Sequence, residues 1–325
     1  MYPLKMKPAL KHYVWGGQQL AKAYHKAPKS ELPIAESWEV SCHHDGLSII
    51  ANGPFAGQTL RELLDQHPQW ISPGSQSADD FPIMLKILDA QQTLSLQVHP
   101  DDHYAAKYEK QSGKDELWYI IDTKPGSLMR AGLSKPHTKE SLCQCILSET
   151  VLDSIEEFPV YKGDCISVPP GVLHSIGAGI LLAELQQSSN ITYRVSDYDR
   201  RDSSGQKRPL HIEKAMDVVR PDLEVIRHAR GADVSLSPKE NAQVLANWRG
   251  LTLSNLSIEG QAQLHCAEQS FQIFLLLNGE IDLCYRENNE GKRLPIMPLE
   301  SVFIPAGLGD FQLKGKGQGL WIHKA

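Results

Sequence analysis

The chain has 325 residues, and its 33 lysines and arginines against 39 aspartates and glutamates give a formal net charge of −6. Hydrophobic residues make up 41% and charged residues 22%, a balance typical of globular proteins, and the length predicts two domains. The acidic balance argues against nucleic acid or an anionic membrane as a partner, and no apolar stretch is long enough to span a bilayer.

The first residues and the cysteines favour a cytoplasmic location. Residues 1–5 lack the apolar core of a signal peptide. The cysteines are scattered and form no Cys-x-x-Cys pair, which favours reduced thiols over a zinc ribbon or a disulfide scaffold. They are Cys42, Cys143, Cys145, Cys165, Cys266 and Cys284.

The first half of the chain is predicted to be mainly β. Short segments rich in β-branched or aromatic residues and bounded by turn residues predict strands. Such segments lie at 37–41, 83–88, 94–99 and 117–121. Two helix starts interrupt them: Thr59 and Glu62 form a capping box for a helix to about Gln66, and Asp101 and Asp102 follow Pro100 at another.

Farther along the chain, helices are expected before residue 242 and only strands and turns after it. Residues 138–158 predict one or two helices, with Leu142, Ile146, Leu152 and Ile155 on apolar faces. A further helix is predicted from apolar residues at helical spacing, which are Ile212, Ala215, Met216 and Val219. From about residue 242 onward only short strands and turns are indicated.

An internal repeat determines the predicted architecture. Residues 163–171 and 299–307 each read as an acidic turn, a strand and a Pro-x-Gly turn, and a strong strand precedes each copy at 116–121 and 272–277. The repeat predicts a mainly β fold of two jelly-roll barrels, the first enlarged by helical insertions.

We place the boundary between the two domains near residue 236. Residues 1–236 are expected to form the catalytic barrel with its helical insertions. Residues 237–325 are expected to form a smaller C-terminal jelly-roll domain without a metal site.

Four residues of the first domain could bind a metal ion. Gln97 and His99 are two residues apart in a predicted strand, so their side chains leave the same face. Glu116 begins another strand, and His174 follows the Pro-Pro-Gly turn at 169–171. Imidazole and carboxylate suit Zn²⁺ or another first-row divalent ion, whereas the amide oxygen is a weaker donor. Such a set leaves a coordination position for water or substrate, as catalytic sites do.

The same residues have structural alternatives. His99 and His174 could be core histidines with hydrogen-bond partners, and Glu116 could be a solvated strand end. For a single residue we favour that interpretation; for the four together we predict a metal site.

Positive charges surround this set in an otherwise acidic chain. Lys114 lies two residues before Glu116, while Lys86 and Arg194 each interrupt an apolar strand. Arginine and lysine suit phosphate, and Ser95 could donate a hydrogen bond to it. Together they indicate a pocket that receives a small phosphorylated anion.

Two of these charges also have alternatives. Lys86 could extend to a barrel rim. Arg194 could pair with Asp197 or Asp199.

Five sequence runs resemble type I phosphomannose isomerase, the zinc-dependent mannose-6-phosphate isomerase, in its short bacterial form. They occur in the family's order, and the resemblance covers nearly the whole chain. The run Gln-x-His-Pro-Asp-Asp with a downstream Lys-x-Glu-x-Trp is the most specific. The runs lie at 34–39, 94–102, 113–119, 169–174 and 188–194.

The resemblance implies a fold, an activity and a set of functional residues. It implies cupin-type jelly-roll barrels and the interconversion of mannose 6-phosphate and fructose 6-phosphate through an enediol. Arg194 would be the catalytic arginine, and Ser95 and Lys114 would contact the sugar phosphate substrate; we add Lys86 as a substrate contact. One Zn²⁺ per chain is expected, with Gln97, His99, Glu116 and His174 as its ligands.

The isomerisation also needs a general base, and two residues are candidates. Glu184 lies in an apolar run in which burial would raise its pKa. Lys114 is the other candidate. The chain departs from longer family members in having only the segment 138–158 where they carry an extra helical domain, which affects the pocket lid and selectivity among hexose phosphates.

Two other functions are compatible with a metal-containing barrel. The first is a non-catalytic cupin that binds a sugar or sugar phosphate; it would not need Arg194 and Lys114 beside the metal. The second is an iron dioxygenase, in which the charges suited to phosphate would have no role.

The second copy of the repeat is predicted to have lost its metal site. Aligning the two Pro-x-Gly turns places Asp310 opposite His174, and aligning the preceding strands places Gln272 opposite Glu116. No equivalent of Gln97 and His99 is evident in the sequence.

Overall fold

A computed structural model describes residues 1–27, 31–201, 205–228, 236–237, 242–288 and 290–324. The described residues are mainly β. The α-helices are α1 (Leu60–Gln66), α2 (Asp102–Tyr108), α3 (Lys139–Leu147) and α4 (Ile212–Val218). Shorter helical turns are a π-helical turn at Gln19–Ala23 and 3₁₀ turns at Pro68–Trp70, Ala78–Asp80 and Val151–Ser154.

The strands are β1 (Leu4–Lys7), β2 (Ala9–Lys11), β3 (Glu36–Val40), β4 (Ile49–Ile50), β5 (Ile83–Ala90), β6 (Leu96–Val98), β7 (Glu116–Thr123), β8 (Leu128–Leu133), β9 (Ile155–Pro159), β10 (Cys165–Val168), β11 (His174–Ile176), β12 (Ile180–Gln187), β13 (Tyr193–Ser196), β14 (Ile226–His228), β15 (Leu236–Ser237), β16 (Ala242–Trp248), β17 (Leu251–Cys266), β18 (Gln272–Glu287), β19 (Glu290–Ile296), β20 (Ser301–Ile304) and β21 (Gly309–Lys324).

The chain divides into two compact units. The central unit comprises Leu10–Ser37 and Ile83–His228. The C-terminal unit comprises Met1–Ala9, Trp38–Pro82 and the described part of Ala229–Ala325. This division differs from the predicted ranges 1–236 and 237–325, because β1 and β4 pair within the nine-stranded sheet that contains β16–β21. Residues 229–235 and 238–241, on either side of the predicted boundary, lie outside the described residues.

The central unit contains two sheets around a shared core. The seven-stranded sheet has the order β14-β10-β7-β12-β5-β3-β2, and the five-stranded sheet has the order β13-β6-β11-β8-β9. Apolar residues of both sheets, such as Trp118 and Leu182 from the first and Met129 and Ile176 from the second, form one buried cluster. Alternate residues of these strands therefore point into the space between the sheets.

The helices of the central unit lie on the other side of the five-stranded sheet. Leu96 and Val98 of β6 pack there with Ala105 of α2, Leu142 of α3 and Ala215 of α4. Since β6 buries its even-numbered residues under the helices, Gln97 between them is left to face the other sheet.

The sequence predicted most helix boundaries but not the end of the 138–158 segment. Thr59 and Glu62 form the predicted capping box of α1, and Asp101 caps α2. The prediction of one or two helices over 138–158 was wrong at its end, because β9 begins at Ile155 and pairs with β8. Ile155 is buried as a strand residue, and its apolar side chain serves either secondary structure equally well.

The internal repeat is matched in backbone geometry. The residues that open and close each copy, Gly163 and Gly171 in the first and Leu299 and Gly307 in the second, all have positive φ. Each repeat strand pairs with its upstream strand in the same register. The equivalent pairs are Cys165–Tyr119 and Ser301–Leu275, Ser167–Leu117 and Phe303–Ile273, and Val168–Glu116 and Ile304–Gln272.

None of the helices in the described residues has the length and apolarity that crossing a bilayer requires.

Candidate metal centre and active site

Strand pairing in the five-stranded sheet brings three predicted site residues side by side. Gln97 on β6 lies directly opposite His174 on β11 and, on its other side, opposite Arg194 on β13. Directly paired residues project from the same face of a sheet. His99 follows β6 by one residue, and its carbonyl accepts a hydrogen bond from the amide of Gly171 at 2.9 Å. The predicted Pro-Pro-Gly turn thus fixes the position of His99.

The carboxylate of Glu116 on β7 meets both histidines. Its Oε1 lies 3.2 Å from Nε2 of His99, and its Oε2 lies 3.5 Å from Nε2 of His174. All three side chains are buried, with at most 2% exposed. Their potential ligand atoms lie within 4.8 Å of one another, close enough to bind one metal ion together.

Backbone carbonyls orient both imidazoles. Nδ1 of His99 lies 2.8 Å from the carbonyl of Ile191, and Nδ1 of His174 lies 3.0 Å from that of Val172. A carbonyl only accepts hydrogen bonds, so each Nδ1 carries a proton and donates it. In the neutral ring Nε2 then has a free lone pair, and both lone pairs point towards Glu116. Metal-binding histidines are commonly oriented in this way.

The charges of this cluster favour neutral imidazoles and an ionised carboxylate. Burial lowers the pKa of His99 to about 3, with a further contribution from Lys114. Burial also lowers the pKa of His174. For Glu116 burial opposes the charge, but Lys114 and the two imidazoles outweigh it and hold the pKa well below its usual range. These are the protonation states that bind a metal.

The donor set fits a divalent metal ion. Although Lys114 Nζ lies 2.8 Å from Oε1 of Glu116, neither carboxylate oxygen has a hydrogen bond of ordinary geometry within the described residues. A buried carboxylate in that condition is costly unless another charge compensates it. The Gln97 amide lies beside the cluster, with Nε2 3.3 Å from His174 Nε2. Rotating the amide by 180° would present its oxygen there, as a fourth ligand requires.

A second buried charge cluster lies across the cavity on the seven-stranded sheet. Lys86 on β5 is paired directly with Glu184 on β12, and its Nζ lies 3.6 Å from carboxylate oxygens of both Glu184 and Glu36. Lys86 is only 3% exposed and does not extend to a rim. Trp118 Nε1 donates to the other oxygen of Glu184 at 3.1 Å. Both oxygens of Glu184 are therefore held.

The surroundings of Glu184 bring the pKa of its carboxyl group close to neutral pH. Burial, reinforced by the negative charge of Glu116, raises the pKa of Glu184 to about 7, although Lys86 opposes the shift. Burial disfavours the charge of Lys86, but Glu36 and Glu184 outweigh it and raise its pKa. Lys86 is thus an ammonium between two carboxyl groups.

Arg194 is half-buried and has none of the carboxylate partners that its sequence allowed. Asp197 pairs with Arg208 and Arg200, and Asp199 pairs with Lys207. Among the described residues no carboxylate lies within ion-pairing distance of Arg194, whose Nε is buried without a hydrogen-bond partner. Its Nη1 donates to the carbonyl of Pro209 at 2.8 Å.

One cavity of about 270 Å³ is lined by Gln97, Lys114, Lys86, Glu184 and Arg194. It contains the predicted Ser95, whose Oγ lies 3.4 Å from Oε1 of Gln97. It also contains residues to which the sequence analysis gave no role: Tyr13, Trp15, Glu36, Asn190, Thr192 and Arg208. Glu36 lies in one of the family-like runs, and that run is the signal that could have marked it. Arg208 gives no such signal, since a paired surface arginine has the same sequence context.

In the second repeat copy the positions equivalent to the candidate metal ligands are occupied by other residues. Asp310 pairs directly with His265 on β17, as His174 pairs with Gln97, so His265 occupies the position equivalent to Gln97. Ala267 replaces His99, since it accepts the amide hydrogen bond of Gly307 as His99 accepts that of Gly171. Gln272 is engaged by Trp321 Nε1 at 3.0 Å.

One other group of metal-compatible side chains occurs in the described residues. His43, His44 and Asp45 are consecutive, and His44 and Asp45 are exposed. They belong to the C-terminal unit, whereas the cavity belongs to the central unit.

Comparisons with known proteins place the chain among related sequences. A family model for the type I phosphomannose isomerase catalytic domain matches residues 3–129, and one for the mannose-6-phosphate isomerase cupin domain matches residues 251–324. A probable mannose-6-phosphate isomerase of Bacillus subtilis is 36% identical over 326 residues, which cover 99% of each chain.

The chain belongs to the type I phosphomannose isomerase family. A mannose-6-phosphate isomerase of Streptococcus mutans is 40% identical over 217 residues, 67% of each chain. The crystal structure of the mannose 6-phosphate isomerase from Bacillus subtilis superimposes with a TM-score of 0.87 at 31% identity, covering 99% of this chain and 100% of that one. The resemblance seen in the sequence is confirmed, and the chain is an enzyme of the mannose-6-phosphate isomerase family. The non-catalytic cupin and the dioxygenase gain no support.

Removing His174 should remove both metal and turnover. In His174→Ala one of the two candidate imidazole ligands is lost, and the remaining groups no longer form the full donor set. Zinc analysis by mass spectrometry and an isomerase assay should both fall to background. Full activity of the unaltered protein after thorough chelation would contradict a metal-dependent site.

The intact chain should hold about one zinc ion, because affinity depends on several deprotonated ligands acting together. Asp310→Ala removes the one acidic residue at a ligand-equivalent position in the second copy, and the zinc-to-protein ratio should not change. Two tightly bound ions, or loss of zinc in this variant, would show that the second copy binds metal.

Proposed function

We propose that the chain interconverts mannose 6-phosphate and fructose 6-phosphate with one zinc ion held by His99, Glu116, His174 and Gln97. The observation that carries the proposal is the convergence of two Nε2 lone pairs on a buried carboxylate, beside a cavity of about 270 Å³. Membership of the family supports mannose 6-phosphate and fructose 6-phosphate as the substrates. Zinc suits the mixture of imidazole and carboxylate ligands.

We further propose that both copies of the repeat belong to cupin-type jelly-roll barrels. The equal strand registers of the two copies and the match of residues 251–324 to a cupin domain support this architecture. The assignment of catalysis to residues 1–236 and of a supporting role to 237–325 stays a prediction, as do the cytoplasmic location and the absence of nucleic-acid and membrane partners.

The bound metal would act as a Lewis acid that polarises the substrate oxygens and stabilises their negative charge. The residues of the chain supply the rest. Lys114, whose Nζ is 2.8 Å from Glu116 and 3.3 Å from His99 Nε2, brings a positive charge to the same end of the cavity. Ser95 lines the cavity and can donate a hydrogen bond to the substrate, and Lys86 can donate to a substrate hydroxyl.

Glu184 is the proposed base that moves the proton between C2 and C1. Of the two candidates, Lys114 is bound to Glu116 as an ion pair, and a charged ammonium cannot accept a proton. Glu184 lines the cavity, and its pKa of about 7 suits a group that both accepts and returns a proton near neutral pH. Trp118 and Lys86 hold its two oxygens in place.

Arg194 is proposed to stabilise the oxyanion that develops as the proton leaves. Its Nε–H is a buried donor without a partner among the described residues, and a donor held in this way costs no reorganisation when charge appears. The neighbouring Gln97 fixes its backbone position relative to the metal ligands.

A coupled assay tests the proposed function directly. Zinc-loaded protein should form fructose 6-phosphate from mannose 6-phosphate and should not act on mannose 1-phosphate, whose C1 is blocked. No turnover of mannose 6-phosphate by a folded, zinc-loaded sample would contradict the proposal.

The pH dependence should report Glu184. A base must be deprotonated to act, so kcat/KM should rise as pH increases through about 7, the pKa of Glu184. Glu184→Gln keeps an acceptor for Trp118 but cannot take a proton, so it should lose activity at every pH. If Glu184→Gln kept the wild-type rate and pH profile, Glu184 would not be the base and Lys114 would be the remaining candidate.

Replacing Arg194 should affect turnover more than affinity. Arg194→Ala should lower kcat by at least ~10²-fold, the scale of losing one preorganised oxyanion donor. Arg194→Lys keeps the charge and serves as the matched control, with a smaller loss expected. A raised KM with unchanged kcat would reassign Arg194 to binding of the ground state.

A further inference from the structure

We propose that Arg208 binds the phosphate group of the substrate, with Asp197 and Arg200 as positioning residues. The inference rests on the proposed function, because it names the phosphate contact for that substrate. Arg208 lines the cavity, and among the described residues its side chain forms hydrogen bonds and an ion pair with Asp197.

The position of Arg208 places it at the far end of the cavity from the metal ligands. Along the five-stranded sheet His174, Gln97 and Arg194 occupy successive neighbouring strands, and β13 with Arg194 is the edge strand. The segment after Arg208 runs along that edge, where the amide of His211 donates to the Arg194 carbonyl at 2.8 Å. Arg208 therefore lies about three strand spacings from His174, roughly 14 Å between backbones.

The two ends of the substrate match the two ends of the cavity. The reacting carbons C1 and C2 of a hexose 6-phosphate are at one end of the carbon chain, and the phosphate is at the other. With C1 and C2 at the metal, the phosphate extends towards the β13 edge.

Positive charge accumulates at that end without enough carboxylates to neutralise it. Arg200 and Arg208 influence each other electrostatically, and Asp197 is the carboxylate between them. Two positive charges and one negative charge leave a local excess of one, beyond the charge of Arg194 that serves the oxyanion. A sugar phosphate carries about −1.5 to −2 at neutral pH and is attracted by this excess.

Lys86 does not provide an equivalent anion site. It lies between Glu36 and Glu184, so its end of the cavity carries no positive excess. A phosphate placed there would meet two carboxyl groups. The cavity is thus polarised, with carboxyl groups at one side and guanidinium groups at the other.

Asp197 holds Arg208 in a fixed orientation. Its carboxylate accepts from Nε of Arg208 at 2.8 Å and also bonds Nη2, while Arg200 approaches the same carboxylate at 3.2 Å. Arg200 is anchored in turn by donating to the carbonyl of Thr93 at 2.6 Å. With Nε and Nη2 engaged, Nη1 of Arg208 is the part of the fork left to meet a phosphate oxygen.

The turn between these residues is strained in a way that supports a specific role. Tyr198 and Asp199 are consecutive non-glycine residues with φ of 55° and 57°. Left-handed backbone is unfavourable for such residues and tends to persist where function requires it. The turn reverses the chain between Asp197 and Arg200 so that both reach the same ion cluster.

Steady-state kinetics and phosphate binding test the assignment. Arg208→Gln should raise the KM for mannose 6-phosphate by at least about 30-fold, because a charged partner of the phosphate is lost, while kcat changes by less than about threefold. Calorimetric titration of the zinc-loaded protein with inorganic phosphate should show the same loss of affinity. Lys207→Gln, a neighbouring exposed lysine paired with Asp199, is the matched control and should leave both constants unchanged.

Asp197→Asn tests positioning separately from charge. Arg208 keeps its charge but loses its ionic anchor, so KM should rise about tenfold with kcat and zinc content unchanged. Thermal melting and zinc analysis of each variant show whether the fold is retained. If Arg208→Gln does not fold, Arg208→Lys, which keeps the charge but loses the fork, should raise KM by about tenfold.

The outcomes separate this inference from the proposed function. If the wild type turns over substrate and the folded Arg208 variants have unchanged KM and phosphate affinity, the inference about Arg208 is wrong and the proposed isomerase function stands. No turnover by the wild type, together with phosphate binding that Arg208→Gln abolishes, would contradict the proposed function and retain the anion site.

Discussion

The central unit depends on the buried carboxylate of Glu116. An ionised carboxylate away from water is costly, and here Lys114 at 2.8 Å is its compensating charge. Backbone carbonyls fix the orientation of the two imidazoles that face it. The imidazoles come from the five-stranded sheet and the carboxylate from the seven-stranded sheet, so the site requires both sheets at a defined separation. A metal ion would complete this compensation, and metal binding and folding of the unit should therefore stabilise each other.

Within the space between the two sheets, groups of different charge occupy different regions. The metal ligands and Lys114 lie at one end, the carboxyl pair around Lys86 lies on the opposite wall, and the arginines gather at the edge strand β13. A sugar phosphate needs these three environments: a Lewis acid for its oxygens, a carboxylate for its mobile proton and cations for its phosphate. Apolar residues such as Leu88, Leu94 and Ile176 also line the cavity.

The sequence was informative where a local pattern has one structural solution. The capping box at Thr59, the Pro-x-Gly turns and the alternation around Gln97 were predicted because each depends on neighbouring residues. The residues that make up each compact unit were not predicted correctly, because they depend on strand pairs far apart in the sequence, such as Leu4 with Phe303. Residue type and motif together marked His99 and Glu116 as candidates, and the structure brings these two side chains together. The role proposed for Arg208 depends on a long-range ion cluster, which its own sequence context does not indicate.

Zinc X-ray absorption on the loaded enzyme tests the central claim most directly, since it reads the ligands without using activity. We expect a spectrum with nitrogen and oxygen donors at about 2.0–2.2 Å, multiple scattering from two imidazoles and no sulfur shell. In His99→Gln the multiple scattering should fall to that of one imidazole. A sulfur shell at about 2.3 Å, or a spectrum that does not change in His99→Gln, would contradict the claim that His99, Glu116 and His174 hold the metal.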